Sequence, residues 1–338
     1  DIKIFSAKVD YVQPFKNGIR MESGLKTSFV NTDNTAKYHT IIDDIKTIDY
    51  EKSNQFNYKE NINAVYINFN KSIKKWGFQT GLRLENTQNE GLQMGNPVHP
   101  DSSFKNSYTN LFPTAYVSYN ANEKNQLGFS FGRRVNRPDY EDLNPFLFFL
   151  DKYTYESGNP FLKPMYSNVL EATHTYNKWL TTSINYSQTT DLFTQTFEEK
   201  GYATIVRQGN YGKMNNASLS FNAQVKPTKW WSLMVYTEGN YKEYKGFLYG
   251  EQLDVEGTNF MFNVNNQFVF KKGWSAELSG FYRSKGIEGQ IEINPMGQLN
   301  AGVQKLILKN KGTLKLNIRD IFLTMVPEGV VNIQNTEA

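Results

Sequence analysis

Apolar and polar residues alternate with a period of two along most of the chain. One face of the segment 274–282 carries Trp274, Ala276, Leu278, Gly280 and Tyr282. The opposite face carries the polar residues Ser275, Glu277 and Ser279. The segment 180–192 repeats the pattern, with one face formed by Leu180, Thr182, Ile184, Tyr186 and Leu192. This alternation predicts β-strands that have one apolar and one polar face.

The connections between these strands alternate in length. Short turns rich in Lys and Asn are predicted near residues 15–18, 71–75, 120–125, 176–178, 227–229, 270–273 and 309–312. Long polar loops are predicted near residues 31–54, 91–106, 136–164, 198–201, 247–256 and 289–297. About fourteen strands of roughly ten to eighteen residues result, much longer than the ~5–6 residues typical of soluble proteins. Long strands with short turns at one end are typical of an antiparallel transmembrane β-barrel.

Composition narrows the choice of fold and function. Mean hydropathy is −0.59, and no apolar run approaches the ~18 residues of a membrane-spanning helix. Aromatic residues make up 15% of the chain, which favours strands. The absence of cysteine excludes disulfides, thiolate metal sites and cysteine nucleophiles. The net charge is +4, and the basic residues are scattered along the sequence, which argues against nucleic-acid binding.

Alternation alone is also compatible with a soluble extracellular β-rich protein, because it does not say which face meets water. The tryptophans favour a membrane. All five lie within two residues of a lysine, beside the predicted short turns: Trp76, Trp179, Trp230, Trp231 and Trp274. Tryptophan prefers the membrane–water interface, and lysine reaches from there to the lipid headgroups. We therefore predict that these residues form an aromatic girdle in contact with outer-membrane lipid.

The segment 132–171 carries a long motif, GRRVNRPDYEDLNPFLFFLDKYTYESGNPFLKPMYSNVLE. It resembles the motif of the outer membrane protein β-barrel family of Bacteroidetes, which is related to TonB-dependent receptors and transporters. The matching residues are Arg134, Asn136, Arg137, Pro138, Tyr140, Leu143, Asn144, Pro145, Phe146, Gly158, Asn159, Pro160, Leu162, Pro164 and Glu171. Weaker matches lie in FNYKENINAVY (residues 56–66) and YTNLFP (residues 108–113).

The resemblance implies a 22-stranded barrel in the outer membrane of a Gram-negative cell, preceded by a plug domain. We expect residues 1–338 to be a single barrel domain, truncated at both ends and without the plug. Its first and last strands should then not pair, which leaves an open stretch of wall.

The implied function is TonB-dependent uptake of a nutrient such as a siderophore, a haem-like chelate, an oligosaccharide or a peptide. The implied partners are the TonB complex, through the missing plug, a surface lipoprotein and the ligand. The alternatives are a non-transporting outer-membrane barrel with a binding or structural role, and a soluble extracellular β-rich binding protein.

Candidate site residues lie in the longest predicted loop, 136–164. Arg134 and Arg137 are predicted to brace this loop by pairing with Asp139, Glu141, Asp142 or Glu171, or else to contact a ligand. Tyr140 belongs to the same motif. An aromatic cluster follows, formed by Phe146, Phe148, Phe149, Tyr153 and Tyr155. It is expected either to pack the loop against the wall or to stack on a planar ligand.

No residue pattern predicts catalysis. The three histidines, His39, His99 and His174, are far apart and lack the spacing of metal ligands. No nucleotide-binding or zinc-protease motif is present in the sequence. We therefore predict a protein that is not an enzyme and has no cofactor.

Overall fold

β-Strands form about three quarters of the chain, and nearly all of them pair antiparallel. The computed structural model describes residues 1–248, 251–333 and 336–337. The strands are β1 (Ile2–Pro14), β2 (Ile19–Ala36), β3 (His39–Ile42), β4 (Ile45–Ile48), β5 (Asn54–Ile73), β6 (Trp76–Met94), β7 (Ser102–Asn122), β8 (Asn125–Asn136), β9 (Leu147–Phe149), β10 (Thr154–Ser157), β11 (Met165–Tyr176), β12 (Leu180–Lys200), β13 (Ala203–Thr228), β14 (Trp231–Leu248), β15 (Glu251–Val269), β16 (Trp274–Arg283), β17 (Gly286–Glu288), β18 (Ile291–Ile293), β19 (Met296–Ile307), β20 (Gly312–Ile318), β21 (Gly329–Ile333) and β22 (Thr336–Glu337). One helical turn, α1 (Tyr140–Leu143), and two 3₁₀ turns, Lys271–Gly273 and Leu308–Asn310, complete the described elements.

The main sheet has sixteen strands, and fourteen of them follow one another in chain order: β1-β2-β5-β6-β7-β8-β11-β12-β13-β14-β15-β16-β19-β20. The other two join it at β13, where β10 pairs in parallel and β9 pairs with β10. The first and last strands of this order do not pair with each other in the described residues. The predictions of an all-β antiparallel barrel wall, of about fourteen long strands and of an open stretch of wall are confirmed. No helix within the described ranges is long and apolar enough to cross a membrane.

All seven short turns lie where the sequence predicts them, and together they form one end of the sheet. They separate β1 from β2, β5 from β6, β7 from β8, β11 from β12, β13 from β14, β15 from β16 and β19 from β20. Several of these turns use left-handed backbone at Lys74, Asn177, Lys178, Lys272 and Gly18. Glycine and asparagine tolerate this conformation, which explains their frequency beside the lysines.

The other end of the sheet differs from the prediction. The expected loop at 198–201 is a two-residue turn, Gly201–Tyr202, between the long strands β12 and β13. At 247–256 a loop is expected, but β14 continues to Leu248 and β15 begins at Glu251. The two residues between them lie outside the described ranges. In both places the strands continue beyond the segments in which apolar and polar residues alternate. Backbone pairing is still possible there, because it does not require an apolar face. The remaining connections at this end carry β3–β4, β9–β10 and β17–β18.

The two faces of the sheet differ in chemistry. We call the outer face the one that carries Val9, Leu25, Val65, Leu84 and Leu111, which lie directly opposite one another across β1, β2, β5, β6 and β7. These five side chains are between 44% and 69% exposed. We call the inner face the one that carries Tyr66, Arg83 and Glu85. A row of exposed apolar side chains across five strands fits contact with lipid rather than with water.

A β-bulge at Asp191 changes the face on which Leu192 lies in β12. Ile184 and Tyr186 lie on the outer face and are 60% and 45% exposed, as the alternation predicts. Asp191 has a positive φ of 51°, and the register with β13 shifts there. Leu192, predicted on the same face as Ile184, is instead 7% exposed and packs on Tyr211. The prediction for Leu192 is therefore wrong, because the irregular register at Asp191 places its side chain on the opposite face from that of Ile184.

Candidate functional site

A basic cavity of about 800 Å³ lies on the inner face, formed mainly by strands β1, β2 and β5–β8. Its cationic lining residues are Lys8, Lys26, Arg83, Arg133, Arg134 and Arg137, and its carboxylate is that of Glu85. Alternation within the strands brings most of these charges to one face. Lys8 lies opposite Lys26, Lys26 opposite Ala64, and Ala64 opposite Glu85. The polar face of the predicted strands is therefore the wall of this cavity.

Arg137 joins the loop after β8 to the wall. It forms an ion pair with Glu85 on β6 and donates a second hydrogen bond to the hydroxyl of Thr87, 3.1 Å away. Glu85 also pairs with Arg83 at 3.2 Å. Glu85 and Thr87 are 5% and 0% exposed. Arg137 therefore neutralises a buried carboxylate on a strand 52 residues earlier.

The predicted partners of Arg137 were Asp139, Glu141, Asp142 or Glu171. Among the described residues its ion pair is with Glu85, and Asp139 instead lies at the start of α1. The split between β7 and β8 explains the long reach. Their pairing ends at Thr114 and Gly132, whereas β8 continues to Asn136 beside β11. The end of β8 is thereby free to leave β7 and bring Arg137 over the inner face.

Arg134 and Arg133 reach the cavity from β8. Arg134 is exposed and lines the cavity. Arg133 stacks on the ring of Tyr166, with its guanidinium carbon 5.2 Å from the ring centre. The hydroxyl of Tyr166 accepts a 2.8 Å hydrogen bond from the side chain of Asn110 on β7. These contacts connect the loop end of β8 and β11 to the inner face of β7.

An apolar cluster fixes the loop between β8 and β11 against the wall. Leu143, Phe146 and Leu162 from the loop pack on Phe56 and Tyr58 of β5, and all five are at most 4% exposed. Burying one such aromatic or leucine side chain contributes about 1.5–3 kcal/mol. The loop is therefore a packed inner layer.

Helix α1 contributes both a contact and a titratable group. Tyr140 packs on Phe56 with ring centres 5.9 Å apart, and its hydroxyl accepts a hydrogen bond from Asn144. Burial raises the pKa of Tyr140. The backbone N–H of Asp139 donates to the Asp142 carboxylate at 3.0 Å. Burial nevertheless raises the pKa of Asp142, and the nearby acids Asp139 and Glu141 add to this effect.

The predicted aromatic cluster is divided in the fold. Phe146 is buried, whereas Phe148 is 41% and Tyr153 is 55% exposed. The hydroxyl of Tyr155 donates to the carbonyl of Lys152 within the β9–β10 hairpin. The backbone of Phe149 pairs with that of Tyr155, while the side chain of Phe149 lies outside the described part of the structure. Phe146 thus packs the loop, and Tyr153 is placed at its surface.

The five tryptophans lie at the short-turn end. Trp76, Trp231 and Trp274 are the first residues of β6, β14 and β16, and Trp179 and Trp230 precede β12 and β14 directly. Trp76 stacks on Tyr119 with ring centres 4.4 Å apart, and Lys305 lies 4.8 Å from the ring centre of Trp274. From Trp76 to Leu84 the outer face of β6 extends about 27 Å along the strand, or about 21 Å after a ~40° tilt.

The alternation around Leu82 and Leu84 places Arg83 and Glu85 on the polar face of their strand, but the sequence does not reveal the partnership with Arg137 or the contributions of Lys8 and Lys26. In the sequence, these residues are distinguished only by their place at the polar positions of alternating strands. The histidines are dispersed, with His99 near Glu51 at 3.3 Å and His174 hydrogen-bonded to Asn125. Within the described ranges no group of three or more His, Asp or Glu residues is arranged to hold a metal ion.

An open antiparallel sheet with an exposed apolar outer face and a charged, loop-filled inner face defines the wall of an outer-membrane β-barrel. The chain belongs to the outer membrane protein beta-barrel family, whose profile matches residues 1–338. The protein is accordingly located in the outer membrane.

Solved structures of a siderophore receptor, a ferric yersiniabactin uptake receptor and an iron transporter share the fold. The siderophore receptor PiuA from Acinetobacter baumannii is 12% identical with a TM-score of 0.67, covering 95% of this chain and 52% of that one. The ferric yersiniabactin uptake receptor FyuA from Yersinia pestis is 11% identical with a TM-score of 0.67, covering 95% and 49%. The FrpB iron transporter from Neisseria meningitidis is 12% identical with a TM-score of 0.64, covering 97% and 52%.

The chain spans about half the length of these solved structures. No curated protein matches it at a significant level. At these identities the likeness shows the barrel fold alone.

Proposed function

We propose that this chain forms part of the wall and outer loops of a TonB-dependent receptor that takes up a nutrient across the outer membrane. The observation that carries the proposal is the packed loop between β8 and β11. Phe146 and Arg137 fix this loop on the inner face, beside a cavity of about 800 Å³. The structural neighbours are named as receptors and transporters, which supports the same assignment.

The site suits capture of a ligand from outside. The loop end of the sheet carries the exposed Tyr153, and the cavity below it carries Arg134 and Lys26. A ligand held there lies inside the barrel, where movement of a plug domain would release it inward. The nutrient class is a siderophore, a haem-like chelate, an oligosaccharide or a peptide, and a surface lipoprotein is a further proposed partner. The motif at 132–171 supports a source among the Bacteroidetes.

The experiment that tests this proposal is co-purification of the full-length protein with the periplasmic domain of TonB from the same cell. Binding is expected if the protein is a TonB-dependent receptor. Failure to bind, with the barrel correctly assembled in the outer membrane, would overturn the transport proposal. That result would favour the alternative of a non-transporting barrel with a binding or structural role.

A further inference from the structure

The inner-face cavity has a strong excess of positive charge. Six cationic side chains line it, against the single lining carboxylate of Glu85. A wall that only needed to be wettable would carry charges of both signs. A concave site with one sign of charge instead raises the local concentration of ligands of the opposite sign.

Several of these cations are not neutralised by the protein. Arg83 and Arg137 share Glu85, and Lys8 pairs with Asp10 at 2.9 Å. Lys26 and Arg134 form no ion pair with any other residue that the structure describes. Both are exposed to the cavity. They therefore remain available to an anion.

Two further donors at the cavity lack acceptors. The Nε atoms of Arg133 and Arg137 are buried, and neither finds a hydrogen-bond partner among the described residues. A buried donor without an acceptor is unfavourable, because it has lost its hydrogen bonds to water. An oxyanion in the cavity is the type of group that would satisfy these donors, because guanidinium groups bind carboxylate and phosphate oxygens at close range.

The cations form two sides separated by a small side chain. Lys8 and Lys26 lie on β1 and β2, whereas the four arginines lie on β6, β8 and the loop that follows β8. Between them, on β5, Ala64 faces both Lys26 and Glu85 across the strand pairs. Two strand intervals give about 10 Å between Lys26 on β2 and Glu85 on β6, where Arg83 and Arg137 form their ion pairs. Because the side chain of Ala64 is small, the cavity has room at this position for a chain of atoms that joins two charged groups.

We propose that this cavity binds a small molecule with at least two oxyanion groups, carboxylate or phosphate, placed about 10 Å apart. One group lies between Lys8 and Lys26, and the other lies beside Arg83 on β6, among the arginines that line that side of the cavity, Arg133, Arg134 and Arg137. The proposal rests on the proposed function in that it names the ligand class of the receptor. Binding itself requires neither TonB nor transport.

The test is calorimetric titration of the purified full-length protein at low ionic strength. The dicarboxylate probe is octanedioate, its uncharged isostere is octanediamide, and the phosphate probe is 1,5-pentanediol bisphosphate, whose two phosphates are separated by a similar length. We expect at least one of the two anions to bind and octanediamide to bind at least about a hundredfold more weakly. The stronger of the two anions identifies the group that the site prefers. If neither anion binds at millimolar concentration, the proposal is overturned. That result is expected if acidic side chains of another domain fill the cavity.

Two substitutions locate the site. Lys26→Gln and Arg134→Gln each remove a cation that has no ion pair, so each is expected to weaken binding about tenfold. Lys59→Gln is the matched control, because Lys59 is an exposed lysine on the outer face of β5. Equal weakening by Lys59→Gln would show that only net charge matters and would contradict a site at the cavity.

The outcomes separate this inference from the transport proposal. Anion binding without TonB binding would retain the cavity site and overturn transport. TonB binding with no anion binding would retain transport and overturn the cavity site.

Discussion

Arg137 forms an ion pair with Glu85, and the two residues belong to different layers of the protein. Glu85 lies on the inner face of β6 and is 5% exposed, whereas Arg137 lies in the loop that follows β8. A buried carboxylate is costly unless a cation and hydrogen bonds compensate it. The pair therefore fixes the loop at one position on the wall, above the basic cavity.

The first prediction concerns this ion pair. Arg137→Met leaves Glu85 with Arg83 as its remaining cation, so the expected loss is about 2 kcal/mol, below the ~3–5 kcal/mol for a fully orphaned buried charge. The measurement is equilibrium unfolding in detergent or lipid. The double variant Arg137→Met/Glu85→Gln should recover part of the loss. Arg134→Met, at an exposed arginine of the same region, is expected to change stability by less than about 0.5 kcal/mol. An equal loss in both single variants would contradict the assigned role of Arg137.

The second prediction concerns the apolar anchor of the same loop. Phe146→Ala removes a side chain that is 3% exposed and packed on β5, at an expected cost of about 3–5 kcal/mol. Since the anchor holds the loop against the wall, the loop should open and become sensitive to trypsin at Lys152 or Lys163. Tyr153→Ala, at a side chain that is 55% exposed, is the control and should leave the digestion rate unchanged. Unchanged digestion of the Phe146 variant would show that the loop does not depend on this anchor.

The third prediction concerns the close approach of β13 and β14. A Cβ atom at Gly246 would lie inside contact distance of the carbonyl oxygen of Tyr211, whereas at Gly239 on the same strand it meets open space. Gly246→Ala should therefore prevent normal assembly, and Gly239→Ala should assemble like the parent protein. Heat-modifiable migration of the barrel on a gel measures the assembled fraction. Normal assembly of the Gly246 variant would contradict this close approach of β13 and β14.

The fourth prediction concerns pH. Burial raises the pKa of Asp142 above its ordinary value of 3.8, so the docked loop binds this proton more tightly than the undocked loop does. Its contribution to docking is then most favourable below pH 3.8 and declines as pH rises toward the raised pKa. Asp142→Asn should remove this decline, because the amide stays neutral. The rate of proteolysis of the loop against pH provides the measurement, and an unchanged pH profile in the variant would contradict it.

The sequence predicts the fold well because period-two alternation is a local property. Every short turn lies at its predicted place, and Leu84 and Glu85 lie on the faces that their chemistry indicates. Bulges are harder to foresee, and the unpaired Asp191 moved Leu192 from the outer to the inner face. A bulge depends on the register with a neighbouring strand, and no pattern within one strand reveals that register.

The site was predicted only in part, for a related physical reason. The motif at 132–171 identified Arg137 and Phe146, and its aromatic and charged content indicated that the loop packs or binds. The partners Glu85, Phe56 and Tyr58 come from strands far earlier in the sequence. The cavity charges of Lys8 and Lys26 assemble only when β1 and β2 pair with β5. Long-range pairing, rather than local propensity, decides which charges meet.

The most direct test of the central claim measures which face of β6 meets lipid. The chain has no cysteine, so single cysteines accept a nitroxide label without background. Labels at Phe78, Leu82 and Leu84 should collide with oxygen dissolved in the bilayer, because these side chains lie on the outer face. Labels at Gln79 and Arg83 should be shielded from lipid and respond more to a water-soluble nickel complex. Equal accessibility at all five positions, or the reverse alternation, would contradict a barrel wall with its apolar face toward lipid and its basic cavity inside.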